Sequence, residues 1–155
     1  MNIKFDGKYG DALYGWESTL LEPSNFWSFV PDKIKPIYHF MNVPVDKHGS
    51  ISSLSMSPLR FIEEVATPED FVVFKLDIDH SATEMPLSSQ IANSEKFAEI
   101  IDEFFFEYHF DCEIMMSKGG PENRKWSAGN TEQRTVVLEY FAKLRRKGIR
   151  AHIWV

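Results

Sequence analysis

Asp77, Asp79 and His80 are the residues of this chain whose types and spacing most directly suggest chemistry. They follow an apolar run that begins at Phe71, and such a run predicts a strand buried on both faces. An ionised carboxylate at the end of a buried strand requires a partner or water. In α/β sheets, ligands bind at the carboxyl ends of the strands. The segment therefore predicts both a functional site and a fold.

Glu107 and His109 form a second polar group, at the end of another apolar segment. Strand alternation places them on one face of their strand, and it likewise places Asp77 and Asp79 on one face of theirs. If the two strands are parallel neighbours, these groups meet at one edge of the sheet. They would then bind a divalent metal, act without a metal as acid/base or hydroxyl-orienting groups, or form part of the framework, with their charge balanced by Lys75 or an Arg. We expect the metal-free polar site.

The elements that would position these groups alternate along the chain. Strands are predicted at Ala12–Glu17, Pro36–Val45, Phe71–Asp79, Phe104–Phe110 and Ile149–Val155. Helices are predicted at Ser24–Val30, at Pro58–Ala66, after a cap at Asn93 or Ser94, and after a capping box at Asn130. This alternation predicts βαβ units and a mostly parallel sheet in one α/β domain that spans residues 1–155.

Composition and charge limit the classes of partner. The chain has 155 residues and a net charge of -6, which argues against nucleic acid. Its single cysteine, Cys112, excludes an internal disulfide and favours a reducing intracellular compartment, either the cytoplasm or an organelle. No apolar stretch has the length of a membrane span. We therefore expect a small-molecule ligand or a protein partner.

Four segments of the chain together resemble a known family. Tyr14–Glu17, Tyr38–Val45, Phe71–Asp79 and Asp102–His109 are similar to a plant and algal branch of proteins related to the FkbM-type S-adenosylmethionine-dependent methyltransferases. The most specific element is Lys-Leu-Asp-Ile-Asp, which is similar to the Lys-Ile-Asp-Val-Glu-Gly motif of those enzymes. The resemblance implies a Rossmann-like methyltransferase-type sheet and O-methyl transfer from S-adenosylmethionine to a small acceptor.

The resemblance also implies roles for single residues. Glu17 would hold the ribose of the cofactor, and Asn42 would lie near its adenine. Asp77 and Asp79 would be the catalytic residues that orient or deprotonate the acceptor. Three further residues would contact the substrate or support the carboxylates: His80, Glu107 and His109.

The chain departs from the family in two places. His80 stands where the family motif has Gly. The family's first strand and its Gly-rich loop have no counterpart, although that strand lies centrally, between the second and the fourth. Its absence would leave two strands with open hydrogen-bonding edges. We expect a sheet that is incomplete as it stands: the C-terminal portion of a longer fold, a sheet completed by a protein partner, or a non-catalytic relative that serves as a subunit or interaction module.

Overall fold

The computed structural model describes residues 12–48, 55–108 and 131–154, with the backbone alone at residues 131–134. Five strands and five helices lie in these ranges. In chain order they are β1 (Leu13–Trp16), α1 (Pro23–Phe29), β2 (Tyr38–Met41), α2 (Pro58–Val65), β3 (Val72–Leu76), α3 (Ser81–Asn93), α4 (Glu95–Ile100), β4 (Ile101–Phe106), α5 (Thr131–Arg146) and β5 (Arg150–Ile153). A 3₁₀ turn at Lys35–Ile37 leads into β2. All paired strands are parallel, so the predicted mixed α/β class is confirmed.

The described strands form two sheets, whereas the sequence predicts one. β1 pairs with β2, and β3, β4 and β5 form a three-stranded sheet in that order. No strand among the described residues joins β1 to β3. The chain also divides into two compact units, residues 1–61 and 62–155. Each unit is described by itself below, and a single domain stays a prediction.

Aromatic rings cover both faces of the β1–β2 pair. On one face Tyr14 stacks on its partner His39, with ring centroids 4.9 Å apart, and Phe61 packs edge-on against Tyr14 at 4.8 Å. On the other face Phe26 of α1 stacks on Phe40 at 3.9 Å. The first unit is therefore held together mainly by ring contacts, which suit a short strand pair because each ring buries a large area.

The sheet of the second unit is buried on one face only. Phe74, Phe104 and Ala151 are partners across the three strands and are buried, as are the next inward residues Leu76 and Phe106. The residues that alternate with them on β3 are exposed. The prediction of a strand buried on both faces is therefore wrong.

Helices α3 and α5 explain which face is covered. Right-handed crossovers from β3 to β4 and from β4 to β5 carry their helices to the same side of a sheet. The two helices are in direct contact, since the Tyr140 hydroxyl donates to the Ser88 carbonyl at 2.9 Å and the Lys143 ammonium donates to Asn93 Oδ1 at 2.7 Å. Both crossover helices therefore pack on the same face of the sheet.

The sequence did not predict helix α3, although its burial pattern is regular. Its buried residues are Glu84, Leu87, Ser88, Ile91 and Ala92, the spacing of one helical face. Two of these five residues are polar, so the sequence does not show the apolar stripe that would predict a helix. Pro86 inside the helix also argues against a helix on sequence grounds.

Several element boundaries differ from those predicted. β4 begins at Ile101, where the sequence pattern extends the preceding helix, and it ends at Phe106. β2 ends at Met41, three residues before Pro44. The Ser94 cap and the Gly148 helix end are confirmed: Ser94 Oγ accepts from the Phe97 amide, and Gly148 has a φ of 99°. The predicted capping box at Asn130 lies outside the described residues. None of the helices in the described ranges has the length and apolar content that crossing a bilayer requires.

Candidate functional site

The carboxyl ends of β3 and β4 bring three predicted site residues together. Leu76 and Phe106 are the last paired residues, and the Glu107 amide extends the ladder by donating to the Leu76 carbonyl at 3.2 Å. Asp77 and Glu107 follow directly. Carboxylate oxygens of Asp77, Asp79 and Glu107 all lie within 4.8 Å of one another. We call these three residues the acidic cluster; its role stays a prediction.

The position of Asp79 in the acidic cluster does not result from strand alternation. β3 ends at Leu76, so Asp77 and Asp79 lie beyond it. Asp79 has a φ of 53°, in the left-handed region that Asp tolerates better than most residues. The Ile78 amide donates to Oε1 of the buried Glu84 at 3.0 Å. This bond fixes the turn that returns Asp79 toward Asp77. Sequence patterns do not reveal the bond, because Glu84 lies on a helix that they do not predict.

His80 lies at the start of α3. Its carbonyl accepts from the amides of Thr83 and Glu84, at 2.8 and 3.0 Å, and its Nδ1 lies 2.8 Å from Thr83 Oγ1. The side chain is exposed. His80 therefore has a structural position at the start of α3, directly after Asp79 of the acidic cluster.

Like charges dominate the electrostatics of the cluster. The hydrogen bond with Asp77, partial burial, and the negative charges of Asp77, Asp79 and Glu84 raise the pKa of Glu107 to about 7. Lys75 offsets part of this repulsion, since its Nζ lies 2.5 Å from Asp77 Oδ2. The same ammonium lies 4.4 Å from the ring centre of Trp154.

This arrangement supports proton transfer. Of two carboxyl groups in contact, one retains its proton near neutral pH while the other is ionised, so the pair can both donate and accept a hydrogen bond. A divalent cation would relieve the same repulsion through oxygen ligands. A cluster of acids alone does not distinguish the two, and we do not propose a metal centre.

Glu17 and Asn42 lie in the first unit and are used there in local structure. The Asn42 amide nitrogen donates to the carbonyls of Glu17 and Thr19, at 2.8 and 2.7 Å, and its oxygen accepts from the Leu21 amide at 2.8 Å. Glu17 Oε1 accepts from the Thr19 amide at 2.6 Å. These bonds fasten the loop after β1 to the end of β2. The predicted roles toward a cofactor remain predictions.

His109 lies outside the described residues, as do Cys112 and the predicted loop at 118–129. Sequence reasoning missed Glu84 as a buried acid beside the cluster and Trp154 as the ring beneath Lys75. The spacing of Glu84 from Leu87, Ser88 and Ile91 was the available signal for the first. No local pattern marked the second, because Trp154 follows a strand distant in the chain.

Comparisons with protein-family models, with curated proteins and with solved structures find no match for this chain.

Proposed function

We propose that this chain is a methyltransferase-type α/β fold whose acidic cluster orients and deprotonates the hydroxyl of a small acceptor for O-methylation. One observation carries the proposal. Strand pairing is parallel throughout, and the described strands form two separate sheets, β1–β2 and β3–β4–β5. The FkbM-type resemblance implies one sheet that holds all of these strands together with a first strand that has no counterpart in this chain. Two sheets where the family has one are what the loss of that strand would produce, and this supports the resemblance.

The chemistry assigned to the cluster is proton acceptance. When bound, S-adenosylmethionine supplies the methyl group. A hydroxyl bound at the cluster would donate its hydrogen bond to a carboxylate oxygen of Asp77 or Asp79, and that oxygen can accept the proton. Asp79 is the exposed member of the cluster and so faces the acceptor. Asp77 is held by Lys75, and its hydrogen bond with Glu107 is the largest cause of the raised Glu107 pKa of about 7.

The described residues fit the cofactor only in part. Glu17 stands at the end of a strand, as a ribose-binding acid does. The amide of Asn42, however, is already bonded to three backbone groups. No Gly-rich turn follows a strand within the described residues. We therefore derive no step of the reaction through the cofactor.

Calorimetry with S-adenosylhomocysteine on the 155-residue chain tests the proposal. We expect measurable heat that Glu17→Gln abolishes and that Asp79→Asn leaves unchanged, because only the first residue is assigned to the cofactor. Absence of heat at high ligand concentration would reject the proposal that this chain is a methyltransferase. Equal loss in both variants would reject the division of roles.

A non-catalytic subunit is the second candidate, and the bonding of Asn42 favours it. An amide that fastens its own loop stabilises the scaffold and does not require a cofactor. This candidate predicts that the isolated chain is insoluble or oligomeric, because open strand edges associate. Light scattering that finds a well-behaved monomer would count against it.

A further inference from the structure

The outward face of the β3–β4–β5 sheet is exposed along β3 and half-buried along β4, and half of its side chains are apolar or aromatic. We call it the open face; it consists of Val73, Lys75, Glu103, Phe105, Arg150 and His152, with Phe71 and Trp154 at its ends. Phe71 is 64% exposed, Val73 53% and Trp154 39%. On the opposite face, Phe104 and Phe106 are no more than 1% exposed. The sheet thus has one covered face and one face open to solvent.

An open apolar face is unusual for a parallel sheet. Parallel sheets occur almost only with both faces covered, and contiguous exposed apolar patches mark interaction sites. The rings of this face already pack against one another: Phe105 stacks on His152 at 4.4 Å and meets Trp154 edge-on at 6.1 Å. The face is therefore a preformed aromatic surface.

Cations border this surface and project further than the acids that pair with them. The side chain of Lys75 is 47% exposed against 24% for Asp77, and that of Arg150 is 57% exposed against 25% for Glu103. The two cations also lie over rings of the open face, Lys75 over Trp154 at 4.4 Å and Arg150 over Phe71 at 5.2 Å. A partner thus meets aromatic carbon flanked by two ion pairs whose cations are the more exposed members.

The dimensions of the open face match a single helix. Strands lie about 4.8 Å apart, so the outer strands are about 10 Å apart and the longest strand spans about 20 Å. A helix is about 10 Å across, and 14 residues of it span about 20 Å. Two copies of this chain joined through such a face would bury far less than the roughly 800 Å² per partner of a standard interface.

We propose that the open face binds one amphipathic helix of a partner protein, with an apolar stripe over Phe105 and Val73 and acidic residues that pair with Lys75 and Arg150. Helix binding by an apolar surface is an established mode of recognition, and charges at the rim select the partner. The inference does not depend on methyl transfer.

Fluorescence anisotropy of labelled peptides on the full chain tests the proposal. The first probe is a 14-residue amphipathic peptide with Leu at helical spacing and Glu on both flanks; the second replaces every Glu by Lys. The test variants are Val73→Glu and Phe71→Ser. Their matched controls on α5 are Val136→Glu and Leu138→Ser, since Val136 is 54% exposed and Leu138 62%. Circular dichroism checks that each variant is folded.

We expect the Glu-flanked peptide to bind at least tenfold more tightly than the Lys-flanked one. Both test variants should weaken it at least tenfold, while both controls should stay within twofold of the unaltered chain. Failure of the Glu-flanked peptide to bind, equal affinity for the two peptides, or equal loss in test and control variants would overturn the proposal. A dimer in light scattering that Val73→Glu dissociates would assign the face to a second copy instead.

Discussion

Glu107 and Asp77 are two acids that the fold brings into contact from different strands, and the consequence is a measurable pH dependence. The pKa of Glu107 rises from an ordinary value of 4.5 to about 7 in the folded chain. Between these values the folded state binds more protons than the unfolded state. Stability therefore falls as the pH rises through this window. Because the two acids are coupled, the titration belongs to the pair.

Glu107→Gln should flatten this dependence. Glutamine keeps the shape of the protonated acid and cannot ionise, so the variant loses the decline in stability between about pH 4.5 and 7. Urea unfolding at pH 5, 6, 7 and 8 measures it, with the exposed Glu99→Gln as control. If Glu107→Gln kept the slope of the unaltered chain, the contact between the two acids would not be the cause.

Gly15 is required for space, and its replacement tests the ring packing of the first unit. A Cβ at this position would overlap the Tyr38 hydroxyl and lie only 3.0 Å from Tyr38 Cε2. We expect Gly15→Ala to cost about 1–3 kcal/mol of unfolding free energy, as overpacking does. Tyr38→Phe should recover part of this cost, because it removes the nearest atom. Urea unfolding of the single and double variants checks both expectations, and full additivity would contradict this account.

At the scale of elements, short-range signals predicted helix ends better than whole helices. The Ser94 cap needs only a hydroxyl two or three residues from an amide, and Gly148 needs only a backbone that tolerates positive φ. The formation of helix α3 depends instead on the hydrogen-bond partners that other elements supply to its buried residues. The buried Glu84 carboxylate accepts from the Ile78 amide, and the Ser88 carbonyl accepts from the Tyr140 hydroxyl. Neither partner can be inferred from the spacing within α3.

Ser94→Ala should weaken the α3–α4 junction. Ser94 Oγ accepts from the Phe97 amide at 3.2 Å, and loss of such a cap costs about 1 kcal/mol. Ser94→Asp should retain most of the stability, because a carboxylate accepts the same bond. Chemical unfolding of the two variants compares them; an equal loss in both would mean that the hydroxyl is used for something other than capping.

At the scale of the molecule, the three-stranded sheet is expected to draw its stability from one face. Phe104→Ala removes a fully buried ring and should cost about 3–5 kcal/mol. Phe71→Ala, on the open face, should cost under about 1 kcal/mol. Urea unfolding of both variants measures the difference. Similar losses would mean that the open face is covered in solution, which bears on the helix proposal as well.

The sequence by itself determined the alternation of strands and helices, the parallel pairing, and the acids at the ends of β3 and β4. These features depend on patterns within a few residues, on which backbone propensity and side-chain periodicity act directly. The sequence predicts Asp77, Asp79 and Glu107 as neighbours on the condition that their strands are parallel neighbours, and the parallel pairing of β3 with β4 meets that condition.

Only the tertiary structure decided which face of the β3–β4–β5 sheet is covered, how Asn42 uses its amide, and that the pKa of Glu107 is raised to about 7. Each outcome depends on groups far apart in the chain: α3 and α5 on one side of the sheet, Leu21 against Asn42, and Asp77 against Glu107. The burial of a side chain and the electrostatic effects on its pKa are sums over its neighbours in space. A linear pattern places such groups at strand ends, but the folded chain sets the distances that decide their chemistry.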